Sequence, residues 1–254
     1  MTTEKIPVAN RSGFEVFSIA VMKRTSLSQP RPHTTKVFIS YSHADRVFGG
    51  QAKTVLDSFG FKSFLAHDDL ELSAEWRSRI LEELGGCKLF VALLSKNFIA
   101  SQWTSQEIGY VLARPEVVIA PLSLDGTMPF GFLSELQGRR LPPEGITFQV
   151  LIEPLARKLP REILPFMIYA AAEAQDFRSA EERMRRLAPL FDVLTKAEAQ
   201  MLAKGAVENG QIWNAKECHE ELLPEFLRRQ RHNIEPETLS ALEYQVEHQG
   251  WYPG

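Results

Sequence analysis

The stretch "CKLFVALLSKNFIASQWTSQEIGYVLARPEVVIAPLSL", residues 87–124, decides the fold. Its opening, "CKLFVALLS", is almost continuously apolar, the pattern of a strand whose sheet is covered on both faces. The period then changes. Residues 97–114 carry Ile108, Val111 and Leu112 at spacings that form an apolar helical face, and Trp103 and Glu107 stand one turn apart on one side. "EVVIAPLSL" returns to a β-branched, apolar run. Strand, helix and strand in this order belong to a parallel sheet.

The same alternation extends towards the N-terminus. "KVFISYS" (residues 36–42) is a strand that ends in small polar residues. "RVFGGQAKTVLDSFG" is helical, with Val47, Val55, Leu56 and Phe59 as inward positions and Gly60 as the stop. "FKSFLA" is another strand, "HDDLELS" an acidic loop, and Ser73 a good N-cap for "AEWRSRILEELGG". The expected architecture is therefore α/β, with a parallel sheet of four strands and helices on both faces. Ligands of such sheets collect at the carboxyl ends of the strands. Here those ends are residues 41–43, 66–68, 95–97 and 123–125, and all four turn polar.

Beyond the Pro/Gly-rich passage "DGTMPFGFLSELQGRRLPPEG" the helical period takes over. Five helical segments follow, beginning with "REILPFMIYAAAEA" and closing with "PETLSALEYQVEH". Thr195 and Glu198 have capping-box spacing, and Pro236 suits a first helical turn. The expected division is an N-terminal extension and linker over residues 1–35, an α/β domain over 36–150 and an α-helical domain over 151–254. Apolar positions such as Ile163, Leu202 and Phe226 supply the last of these with a core, and we expect it to sense a trigger or organise oligomers. "FEVFSIAVM" (14–22) is too short for an anchor and reads as an extra strand or a leader, with Met22 as a second candidate start.

Composition removes several function classes. The 254 residues carry a formal net charge of −3, against a general nucleic-acid binder. No apolar run reaches the ~20 residues of a membrane span. Two distant cysteines, Cys87 and Cys218, form neither a disulfide framework nor a Cys-based zinc site, so a reducing cytoplasm is expected. His67, Asp68 and Asp69 are adjacent and have no distant histidine partner, so no metal site is expected. No Gly-rich phosphate loop follows the first strand, which disfavours a nucleotide kinase or a Rossmann dehydrogenase.

Three ordered pieces within residues 36–141 carry a family resemblance. "VFISYSHAD" is similar to the first strand and following loop of TIR (Toll/interleukin-1 receptor) domains of the bacterial kind. "FLAHDDLELSAEW" resembles their second strand, BB loop and next helix. "LFVALLSKNFIASQWTSQEIGYVL" resembles the third strand and the helix bearing W-x-x-x-E. The implied fold is flavodoxin-like. The helical tail resembles no family.

That resemblance implies an activity and a site. Many TIR domains cleave the nicotinamide N-glycosidic bond of NAD⁺ with the last residue of W-x-x-x-E, here Glu107. NAD⁺ is then a substrate and no cofactor is needed. Water as acceptor yields ADP-ribose, and groups within the nucleotide yield cyclic ADP-ribose isomers. In Thoeris-type anti-phage systems such products act as messengers for a downstream effector. The implied substrate contacts are Trp103 as an apolar wall, Tyr41, Ser42 and Asp45 after the first strand, and Asp68 and Leu70 in the BB loop. The basic residues that the family carries after the first strand are absent from this chain, so strand-exit capping is an equal reading of Tyr41, Ser42 and Asp45. Leu70 and Leu72, apolar in an acidic loop, fit self-association.

Each residue also has an ordinary alternative: a solvated helix charge for Glu107, a packing aromatic for Trp103. At the level of the protein, the alternatives are a TIR–TIR adaptor without catalysis and a nucleoside 2-deoxyribosyltransferase-like enzyme, which shares a related fold and a glutamate at a glycosidic carbon.

Overall fold

The structure is a computed structural model that describes residues 27–32, 34–66 and 74–248. The run 14–22, the acidic loop 67–73 and the N-cap Ser73 lie outside the described residues. β1 (Lys36–Ser40), β2 (Lys62–Leu65), β3 (Leu89–Leu94) and β4 (Val118–Ser123) fall on the four apolar runs. A fifth strand, β5 (Arg139–Arg140), was not legible in the sequence. Two arginines carry no strand pattern, and they pair only because the chain passes along Leu122 and Ser123. The sheet has the order β2-β1-β3-β4-β5, and every pair is parallel.

Alternate residues of the central strands enter two different cores, as a two-residue period requires. Val37, Ile39, Val91 and Leu93 face one way and join a large cluster with Ala52 and Leu56 of α1 (Arg46–Ser58). Phe38, Phe90, Ala92 and Leu94 face the other way. There they pack on Ile80 and Leu84 of α2 (Ala74–Gly86), Phe98 of α3 (Lys96–Ala100), and Ile108 and Val111 of α4 (Gln102–Leu112).

Two expectations about these helices change. Val47 is 65% exposed and not inward-facing. The inward face of α1 is made by Gly49, Ala52 and Leu56, because the buried ring of Tyr41 fills the space beside Gly49: a Cβ there would lie 3.2 Å from the ring. The helix read over residues 97–114 is two helices, broken at Ser101 (φ −83°, ψ 126°), whose extended backbone starts α4 afresh. Thr104 secures the break by donating its hydroxyl to the carbonyls of Phe98 and Ser101. The cost of an interrupted helix is offset by these caps. The break also places Trp103 in the first turn of α4 and Glu107 in the second.

Past β5 the chain is helical: α5 (Phe148–Leu151), α6 (Pro160–Ala172), α7 (Phe177–Leu187), α8 (Lys196–Glu208), α9 (Gly210–Trp213), α10 (Leu223–Gln230) and α11 (Pro236–His248). Thr195 and Glu198 form the expected capping box at the start of α8. Among the described residues no helix is long and apolar enough to cross a membrane.

The helices do not bury their apolar faces only on one another. Ile163 of α6, Leu202 of α8 and Phe226 of α10 belong to the same contiguous cluster as Val37, Leu56 and Val91. The seam is aromatic. Phe59, just after α1, lies 5.3 Å from the Phe148 ring and 5.9 Å from that of Phe166, and the Arg186 guanidinium sits 4.9 Å over Phe148.

Candidate functional site

The last residue of β1 is Ser40, fully buried beside Ala92 of β3 in the ladder. It lies on the side of the sheet that α4 covers, and its hydroxyl donates to Glu107 Oε2 at 2.5 Å. Glu107 itself is only 4% exposed. A solvated helix charge is therefore not what this residue is. A carboxylate taken from water costs several kcal/mol unless a donor meets it, and Ser40 is such a donor, brought from 67 residues away in the chain.

Glu107 and the half-buried Trp103 line one cleft of about 540 Å³ between α2 and α4, together with Ile80, Leu84, Arg77 and Tyr110. The lining combines apolar and aromatic side chains with the polar groups of Arg77, Gln106 and Glu107. A second cleft of about 540 Å³ opens at the β4–β5 edge near Leu122, Arg139 and Lys158. Its carboxylate, Glu135, stands exposed, whereas Glu107 in the first cleft is buried and hydrogen-bonded.

The carboxyl ends of β3 and β4 carry serines that cap the loops after them. Ser95, after β3, donates to Asp45 Oδ2 at 2.6 Å and accepts from the Phe98 N–H as the N-cap of α3. Ser123, at the end of β4, accepts from the Gly126 N–H. The Asp125 side chain accepts from the Lys96 N–H and from Thr127. Those bonds, the Thr127 hydroxyl first, hold its carboxyl below the usual carboxylate range.

Of the sequence-derived site residues, the structure brings Trp103 and Glu107 together on one wall. Asp45 lies at the carboxyl ends of the strands, tied to Ser95. Ser42 precedes the short turn His43–Asp45, and its carbonyl accepts from the Asp45 N–H at 2.7 Å, while its side chain makes no capping bond to that turn. Tyr41 is 1% exposed and faces α1, on the opposite side of the sheet from Glu107. Asp68 and Leu70 lie outside the described residues. Trp76 packs on Phe64, their rings tilted and the centroids 5.7 Å apart. Among the described residues no cluster of three or more His, Cys, Asp and Glu side chains converges as a metal site.

The residue that sequence reasoning missed is Ser40. Its signal was a serine inside an apolar strand, two residues after the buried Phe38 and so on the same face. Placing it opposite Glu107 requires the tertiary fold.

No curated protein matches the chain. Residues 37–152 match the family model described as the TIR domain, the segment that holds all five parallel strands except the first residue of β1 and also holds Ser40, Trp103 and Glu107. With this sheet order and these flanking helices, residues 37–152 are a TIR domain, and a run of helices follows it in the chain.

Proposed function

We propose that this chain cleaves the nicotinamide–ribose bond of NAD⁺, releasing nicotinamide with ADP-ribose or a cyclic isomer, as a signalling or NAD⁺-depleting step in prokaryotic anti-phage defence. The observation that carries this reading is the buried carboxylate of Glu107, fixed by Ser40 at a cleft walled by Trp103. Bacterial TIR domains include both NAD⁺-cleaving enzymes and adaptors, and an inward-held carboxylate next to a cleft favours the first.

The chemistry follows from charge. Departure of nicotinamide leaves an electron-poor ribose carbon, so the transition state resembles an oxocarbenium ion. A fixed anion interacts more strongly with that developing positive charge than with the ground state, which is the condition for acceleration. Trp103 offers a flat apolar wall that orients a planar ring and excludes water from one side. TIR domains commonly self-associate, and residues 67–73 supply the contact we expect for it here.

The test is nicotinamide release from NAD⁺ by the purified chain and by Glu107→Gln, which keeps shape and removes charge. One electrostatic contributor of this kind is worth about 10²–10³ in rate. Near wild-type turnover by Glu107→Gln, with the fold intact, sinks the proposal and leaves the adaptor reading. Base exchange on deoxynucleosides without NAD⁺ cleavage points instead to a deoxyribosyltransferase.

A further inference from the structure

We infer that Ser40 is a positioning residue for the reaction: its hydroxyl holds the Glu107 carboxylate in the orientation that meets the ribose carbon. The inference rests on the NAD⁺-cleaving reading and names a second residue on which that reading depends.

The physical argument begins with cost. β1 is otherwise "KVFI", and Phe38 on the same side of the strand packs between the rings of Phe64 and Phe90 at 5.5 and 5.7 Å. A hydroxyl at the next inward position, fully buried, gains nothing from apolar burial. Its partner is a carboxylate on α4, a helix whose other inward residues are Thr104, Ile108 and Val111. Two apolar side chains in place of such a buried polar pair are often neutral or stabilising, so the pair is poorly explained as a stabiliser. What it supplies is precision. A glutamate has three side-chain torsions, and a carboxylate left to turn in a cleft samples orientations that do not face the reacting carbon. The short bond from Ser40 locks Oε2 to the end of a central strand, the most rigid element available, because β1 is paired on both sides. The strand end and α4 meet only through the covering of the sheet. The Ser40 bond thereby ties the orientation of the carboxylate to the sheet.

The two roles a buried serine can have lead to different results. If Ser40 only supports packing, Ser40→Ala lowers the melting temperature and leaves the kinetics of the folded fraction alone. A positioning role lowers kcat in the folded protein while leaving KM for NAD⁺ nearly unchanged, since the lost interaction matters in the transition state. Misplacement of a reacting group by about 1 Å costs on the order of 10²-fold in rate.

The experiment uses the full chain, with nicotinamide release and thermal unfolding measured on wild type, Ser40→Ala and Ser40→Cys. The cysteine keeps the shape and a weak donor. Expected is a kcat reduced roughly 30- to 100-fold in Ser40→Ala at a temperature well below its unfolding. KM should stay within about twofold of wild type, and Ser40→Cys should fall between the two. Should Ser40→Ala fail to fold, the comparison of Ser40→Cys with wild type decides, since a cysteine variant that folds and turns over at the wild-type rate overturns the inference. Wild-type kcat in folded Ser40→Ala overturns it as well and leaves the NAD⁺ reading standing. A wild-type protein that releases no nicotinamide overturns both.

Discussion

Gly60 is where the seam between the sheet and the helical half can be tested with one methyl group. It follows α1 with φ at +75°, the left-handed region, and its N–H is bonded to the Asp57 carbonyl. A Cβ at this position would lie 2.6 Å from Phe166 Cζ on α6 and 3.0 Å from the Pro32 Cα. For Gly60→Ala, the left-handed backbone costs an L-residue about 1–2 kcal/mol. Forcing a methyl against a ring and a backbone atom adds about 1–3 kcal/mol of overpacking. The expected loss is about 2–5 kcal/mol, much of a typical domain's stability. Because Ile163 and Leu202 share one cluster with Val37 and Val91, that loss should spread beyond the loop. Native-state hydrogen exchange followed by mass spectrometry reads it: protection should fall together in peptides covering β3 and α8. Phe166→Ala in the Gly60→Ala background should recover the part due to the ring and leave the part due to φ. A loss below about 0.5 kcal/mol, or protection lost around β3 while α8 keeps its own, refutes the idea that the halves unfold as one.

Trp103→Ala should weaken nicotinamide release less than Glu107→Gln, because it removes a wall and not a charge. An aromatic contact worth about 0.5–1.5 kcal/mol corresponds to roughly two- to tenfold in rate, and a loss as deep as that of Glu107→Gln would contradict the assignment. Burial pushes the Cys218 thiol up to about 12 from its ordinary value of 9.0, and the neighbouring Glu181 and Glu217 charges push the same way. The unfolded chain therefore releases this proton first as pH rises. The contribution is intact below pH 9 and is lost at about 1.4 kcal/mol per pH unit from there towards pH 12. Urea midpoints from pH 8 to 10.5 should fall less steeply for Cys218→Ala than for wild type, and parallel curves would rule this out.

Much of the α/β half was written in local pattern. The runs at 36–42, 61–66, 87–95 and 116–124 each became a strand, because an apolar, β-branched segment between helices has one way to bury both faces. Thr195 with Glu198, and Pro236, marked their helix starts for the same reason: a cap acts within four residues of itself. Trp103 and Glu107 were legible as one face of a helix, since that neighbourhood is set by helical geometry alone.

What tertiary structure decided is everything that depends on partners distant in the chain. Val47 is exposed and Gly49 buried, the reverse of their polarity, and at Gly49 the close approach of the Tyr41 ring leaves little room for a side chain. The two-residue β5 exists only because β4 was already there to pair with. Whether Glu107 was a solvated charge or a buried carboxylate was undetermined by its own helix. The answer came from Ser40, 67 residues earlier, at a strand end that the sheet brings under α4. The helical half showed its apolar positions plainly but not what they would cover, because a buried face specifies that water must be excluded and not by which surface. Here that surface is one side of the sheet, reached through Phe59, Phe148 and Phe166.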